Sequence, residues 1–203
     1  MIAILSYGFG NVRAFANIYR ELNVPHAIAD SVEALEGADK IILPGVGAFD
    51  HAMQRLRASG FAEPLQEQVI GRGKPVLGVC VGMQMLADAS EEGQEAGLGW
   101  VSGMVERIRF PEGEKTGRLP HMGWNTIRAA GNPILAGMDE AFGFYFLHSY
   151  RFRCADASDS IATAEYAGDF TCAVNRGNVF GVQFHPEKSH HNGVRLLKNF
   201  AEL

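Results

Sequence analysis

With 203 residues, 47% of them apolar and 20% charged, the chain is long enough for one domain with a substantial core and has an ordinary globular balance. Its formal net charge of −5, with Lys and Arg scattered rather than blocked, leaves no basic footprint and excludes a nucleic-acid partner from expectation. No apolar run reaches the ~18 to 20 residues of a bilayer span, and the N-terminus enters a strand without a basic, cleavable leader, so a cytoplasmic protein with no membrane association is expected.

In chain order, Ile2-Ala3-Ile4-Leu5 is an apolar strand followed by a turn at Gly8 and Gly10. Val12, Phe15, Ala16, Tyr19 and Leu22 then recur at helical spacing, completing a βα unit. His26 to Ala29 predicts a second strand, and Asp30-Ser31-Val32-Glu33 a capping box opening a brief helix. Lys40 to Leu43 and Pro75 to Val79 have the unbroken apolar character of strands buried on both faces. Met53, Leu56, Leu65 and Val69 between them mark crossover helices, expected to break near Pro64. From Trp100 the pattern turns strand-rich: Trp100 to Ile108, Phe142 to Phe152, Ile161 to Tyr166, Phe170 to Asn175 and Asn178 to Phe184, with a closing helix over Val194 to Phe200. The expected fold class is α/β, a doubly wound, mostly parallel, flavodoxin-like sheet with added antiparallel strands, in one domain spanning 1–203.

Three cysteines with no CxxC pair exclude a disulfide framework and a thiolate zinc site, and Cys154 and Cys172 are expected as packed thiols. Cys80 is different. In Gly78-Val79-Cys80-Val81-Gly82-Met83-Gln84 it lies between flanking glycines directly after a strand, the pattern of a nucleophile elbow. The following helix would start beneath it, its N-terminus favouring thiolate and the Val81 N–H facing a developing oxyanion. A buried structural cysteine in a tight turn is the bland alternative. In Gly181-Val182-Gln183-Phe184-His185-Pro186-Glu187-Lys188, extended backbone puts residues i and i+2 on one side, so His185 and Glu187 can pair as base and orienter. Leu43-Pro44-Gly45-Val46-Gly47 is a glycine-bracketed turn at a strand's C-terminal end, where Val46 or Gly47 could complete an oxyanion hole opposite Val81. Taken alone, the motif fits a plain βα turn better.

Together, PGVG, GVCVGMQ and FHPEK in this order resemble the class I (triad) glutamine amidotransferases. Leu119-Pro-His-Met-Gly-Trp-Asn125 and Tyr145-Phe-Leu-His-Ser-Tyr150 narrow the likeness to members serving histidine biosynthesis. The likeness runs from Tyr7-Gly8-Phe9-Gly10-Asn11 to Leu196-Leu197-Lys198-Asn199-Phe200. It implies that Cys80 is the nucleophile, His185 the general base and acid, and Glu187 the third triad member. Gly47, Gln84 and the segment His148, Ser149 and Tyr150 would hold glutamine, the substrate. Asn11, Trp124, Tyr145 and Lys188 would lie near the interface with a (βα)₈ synthase, or cyclase, subunit that receives the ammonia in a heterodimer. No metal and no cofactor is implied. Two departures are Ser6, where many members carry Asp, and His190-His191 after the FHPEKS motif, expected in a solvent-facing loop. They leave open a paralogue supplying a surface-polysaccharide sugar amidotransferase; a non-catalytic scaffold subunit would not be expected to keep the triad.

Overall fold

The computed structural model describes residues 1–112, 117–139 and 141–203. Its first half is a series of strand–helix units: β1 (Ile2–Leu5), α1 (Val12–Glu21), β2 (His26–Ala29), α2 (Val32–Glu36), β3 (Lys40–Gly45), α3 (Phe49–Ala58), α4 (Ala62–Gln66, prolonged by a π-helical turn over Glu67–Gly71), β4 (Val76–Cys80) and the one-turn α5 (Val81–Gln84). The second half adds β5 (Ala89–Ser90), β6 (Gly103–Arg107), β7 (His121–Asn125), β8 (Arg128–Ala129), β9 (Phe144–His148), β10 (Tyr150–Cys154), β11 (Ser160–Glu165), β12 (Asp169–Arg176), β13 (Val179–Val182) and α6 (His190–Glu202). No helix among the described residues is long and apolar enough to cross a membrane.

The main sheet runs β2-β1-β3-β4-β13-β12-β10-β6-β5. The pairs β1–β2, β1–β3, β3–β4 and β4–β13 are parallel, whereas β12 pairs antiparallel with both β13 and β10, and β10 with β6. The fold is therefore α/β, with a mostly parallel centre and antiparallel additions. β1, β4 and β13 are buried at every position, as strands covered on both faces must be. α1 contacts α6, while α2 contacts α4, which places the crossovers in two layers around this sheet. The C-terminal ends of β1, β3, β4 and β13 share one edge, so residues 6–11, 45–47, 80–82 and 183–189 gather there.

Several local expectations are corrected. The N-cap of α2 is Ser31, whose Oγ accepts from the Ala34 N–H, so Glu33 falls at the second helical position and no reciprocal box forms. Pro64 does not break a helix. It sits in the first turn of α4, where the missing N–H has no intrahelical acceptor, and the break falls at Ser59-Gly60, with Gly60 at φ +78°. The Phe142 to Phe152 run is two strands: β9 pairs only with β7 in a separate two-stranded ribbon, and β10 returns to the main sheet. The chain turns at Ser149, where His148 Nδ1 donates to the Tyr150 carbonyl at 2.7 Å. β7 falls on the Pro-His-Met-Gly-Trp-Asn segment, which carries no strand reading in its sequence. His190 and His191 open α6 rather than a loop; His190 stacks on Trp124 at 5.2 Å and His191 meets the Phe142 ring edge-on at 4.6 Å.

Candidate active site

Cys80 ends β4 with φ +57° and ψ −113°, a conformation that L residues rarely adopt. Its neighbours make the turn possible by lacking side chains. A Cβ on Gly82 would lie 2.0 Å from the Leu43 carbonyl oxygen, and one on Gly78 would lie 2.6 Å from the Gly82 oxygen. Strand, elbow and α5 therefore pack backbone against backbone, turning the cysteine outward. Val81 is the first residue of α5, so its N–H has no partner within the helix and is available at the sulfur's side. One turn of helix supplies little dipole; what α5 contributes is this donor.

His185 and Glu187 flank Pro186 after β13. Glu187 Oε1 accepts from His185 Nδ1 at 2.8 Å, and both side chains are only 4% exposed. The loop is tied to β9: the His185 N–H donates to the Tyr145 carbonyl at 2.9 Å, and Ser189 Oγ donates to the His185 carbonyl while accepting from the Tyr145 N–H. Burial, the largest single influence, pulls the His185 pKa down, but hydrogen bonding to Cys80 and Glu187 and their negative charges outweigh it and lift it to about 9. A protonated His185 beside the Cys80 sulfur is the arrangement this environment favours.

Cys80 and His185 line one cavity of roughly 420 Å³ together with Val46, Gly47, Val81, Gln84, His148, Ser149, Tyr150 and Lys188. The proposed nucleophile, base, oxyanion donors and glutamine-holding residues are thus brought together, with Glu187 behind His185. Gly47 takes φ +81°, which a side-chain-bearing residue would resist. Gln84 has both N–H groups committed, to the Tyr150 carbonyl at 3.3 Å and to Gln183 Oε1 at 3.0 Å, leaving its own carbonyl oxygen for a ligand.

Glu92 and Arg107 also line the cavity, and no sequence motif singled them out. One oxygen of Glu92 accepts from the Phe49 N–H at 2.8 Å, closing the start of α3, which has no side-chain cap of its own. The guanidinium of Arg107 lies 6.0 Å from the centre of the Tyr150 ring. A carboxylate and a guanidinium at one cavity suit a zwitterionic amino acid. Among the described residues, no group of three or more His, Cys, Asp or Glu side chains is placed to hold a metal.

Behind the cavity, β7 and β9 alternate strictly. His121, Phe144, Phe146 and His148 face inward and are buried, while Met122, Trp124 and Leu147 are exposed and Tyr145 is half-buried. His148 Nδ1 must donate to the Tyr150 carbonyl, so its Nε2 accepts from His121 Nδ1 at 2.9 Å, and His121 Nε2 accepts from Asn125 Nδ2 at 3.3 Å. Both rings are neutral: burial pulls His148 down to about 3 and His121 to about 4. On the outer face Trp124 is 51% and Met122 65% exposed. The Lys188 ammonium lies 5.7 Å from the Tyr145 ring centre, and Trp124 meets Tyr145 edge-on at 6.3 Å. Of the four residues expected near a partner, Trp124, Tyr145 and Lys188 form this one surface. Asn11 stands apart on the neighbouring loop, where its side chain caps α1 through the Ala14 N–H.

Residues 4–203 match the family model for class I glutamine amidotransferases. The imidazole glycerol phosphate synthase subunit HisH of Leptospira borgpetersenii is 50% identical over 204 residues, covering 100% of both chains. The subunit of the same name from Bdellovibrio bacteriovorus is 52% identical over 204 residues, again covering 100% of both. Among solved structures, a crystal structure of a glutamine amidotransferase superposes with a TM-score of 0.73 at 20% identity, covering 100% of this chain and 99% of that one, a likeness of fold.

Proposed function

The chain belongs to the class I glutamine amidotransferase family, and from that premise we propose that it is the glutamine-hydrolysing subunit of an imidazole glycerol phosphate synthase, feeding ammonia to a cyclase subunit for histidine biosynthesis. The observation that carries the chemistry is the convergence of Cys80 and a Glu187-bonded His185 in one cavity large enough for an amino acid. Full-length identity of 50% and 52% to two HisH subunits supports the pathway.

In this reading glutamine enters with its ammonium toward Glu92 and the Gln84 oxygen and its carboxylate toward Arg107 and the Ser149–Tyr150 backbone. The Cys80 thiolate attacks the side-chain carboxamide carbon. Negative charge builds on the carboxamide oxygen, where the N–H groups of Val81 and of Val46 or Gly47 can receive it. His185 gives its proton to the nitrogen as the C–N bond breaks, releasing ammonia and leaving a γ-glutamyl thioester on Cys80. The now neutral His185 takes a proton from water, hydroxide adds to the thioester, and the sulfur leaves as thiolate with glutamate as product. Glu187 keeps the Nδ1 proton in place throughout. The apolar outer face of β7–β9 beside the cavity mouth is the docking surface for a (βα)₈ cyclase subunit, in a heterodimer that passes ammonia directly.

The deciding experiment mixes the purified chain with the histidine-pathway cyclase of the same organism and follows imidazole glycerol phosphate formation with glutamine as the nitrogen source. A stable complex and glutamine-dependent product are expected. Absence of both, with binding to and activation by a sugar amidotransferase instead, would replace the pathway assignment while leaving the glutaminase chemistry standing.

A further inference from the structure

The Cys80 sulfur meets a second polar side chain besides His185. Gln183 is fully buried just past the end of β13, two residues before His185, and its Nε2 lies 3.8 Å from Cys80 Sγ. Its Oε1 accepts from Gln84 Nε2 at 3.0 Å. The orientation of both carboxamides follows from an atom that can only accept, the Tyr150 carbonyl oxygen, which takes hydrogen bonds from Gln84 Nε2 and His148 Nδ1. Gln84 must present nitrogen there, its other N–H goes to Gln183, and Gln183 must therefore present oxygen to Gln84 and nitrogen to sulfur. A different kind of partner is the Leu147 carbonyl oxygen, 3.9 Å from Sγ. A thiol can donate to that carbonyl. A thiolate cannot, and has only donors to gain from.

Resting on the reading of Cys80 as nucleophile, we infer that Gln183 is a further catalytic residue, a fixed N–H donor that holds the Cys80 sulfur in its thiolate form. The donor acts twice: before attack, and again when sulfur leaves the thioester carrying the electron pair of the broken C–S bond. Gln183 is uncharged and does not titrate, so it biases the proton between sulfur and His185 without exchanging one itself. The other ionisable groups around the sulfur are His148 on β9, Tyr150 at the start of β10, Lys188 and Glu187 on the loop after β13, Glu92 in the loop after β5 and Arg107 on β6. None of them lies between Gln183 and the sulfur within hydrogen-bonding distance of both.

The test follows alkylation of Cys80 by iodoacetamide in the full chain from pH 5 to 9, read by peptide mass with Cys154 and Cys172 as internal references. Gln183→Met keeps chain length and removes the donor. Its alkylation rate at pH 7 is expected to fall about 10- to 150-fold, the range that one hydrogen bond to a charged group is worth, with the midpoint of the pH profile moving up. Gln183→Glu should shift it further, because a carboxylate repels the thiolate. Superimposable profiles for wild type and a folded Gln183→Met would overturn the assignment of Gln183 alone. A wild-type Cys80 that reacts no faster than Cys154 would instead remove the nucleophile reading. Should both variants fail to fold, the wild-type protein decides. The side-chain amide proton resonance of Gln183 must move with the same midpoint as alkylation, and an amide that ignores that titration refutes the donor role.

Discussion

Replacing Glu187 by Gln removes one charge and almost no volume, and the structure allows its effect to be sized. Glu187 Oε1 holds His185 Nδ1 at 2.8 Å with both side chains 4% exposed, so solvent screens this pair little. Its other oxygen is buried without a hydrogen-bond partner, so no second donor among the described residues shares the charge. A charge-assisted hydrogen bond of this kind is worth about 1.5–3 kcal/mol, and at about 1.4 kcal/mol per factor of ten the rate of glutamine hydrolysis should fall roughly 10- to 150-fold. His185→Ala, which removes the proton carrier itself, should cost far more. The carboxamide oxygen can still accept the Nδ1 proton, which keeps the catalytic tautomer available in Glu187→Gln. In the proposed mechanism His185 must be protonated to release ammonia, and its pKa near 9 depends in part on Glu187, so the alkaline limb of the rate profile should move to lower pH in the variant. Single-turnover hydrolysis from pH 6 to 10 in the assembled complex measures both effects. Equal single-turnover rates and an unmoved alkaline limb would refute the role given to Glu187.

Cys80→Ala should abolish glutamine-dependent synthesis by the complex while leaving ammonia-dependent synthesis intact. Cys80→Gly should do the same yet melt at a higher temperature than Cys80→Ala, because glycine relieves a φ of +57° worth about 1 kcal/mol or more. Trp124→Ala should weaken binding of the cyclase subunit by about 2–4 kcal/mol in calorimetry, a roughly 30- to 1000-fold rise in Kd, while the exposed position leaves the stability of the free chain within about 1 kcal/mol. Stability measured by urea titration should peak near pH 6.5 and fall on both sides. His185, with its pKa raised to about 9, contributes stability that is complete below about 6.5 and is lost as pH rises through 9. His121 and His148, lowered to about 4 and 3, contribute stability present above about 6.5 that is lost as pH falls toward those values. A flat profile from pH 4 to 9 would contradict both assignments.

The parts of the fold legible in the sequence are those where one physical demand acts alone. β1, β3 and β4 lie in the centre of a sheet covered on both faces, and nothing but an unbroken apolar run satisfies that position. The elbow was legible because only glycine fits where a Cβ would strike the Leu43 carbonyl oxygen. The turn between β9 and β10 was not, since His148-Ser149-Tyr150 contains no glycine or proline. The chain bends there through a side-chain hydrogen bond, and sequence patterns do not record such bonds. β7 carries no strand signature because its inward residue is His121 rather than an aliphatic side chain, and its outward residues Met122 and Trp124 are apolar, inverting the usual alternation. Glu92 and Arg107 reach the cavity from elements far apart in the chain, so no local spacing announced them.

The β7–β9 ribbon is a single layer, and consecutive residues look in opposite directions: Leu147 outward, His148 inward, with the Leu147 carbonyl reaching the Cys80 sulfur. The face that would meet a partner is therefore carried by the same strand whose Leu147 and His148 line the cavity. Trp124 and Met122 share the backbone of β7 with His121, whose ring bonds His148. Such a partition acts as a diaphragm. An engineer seeking a new partner for this chain would do best to alter residues beyond the ribbon's rim.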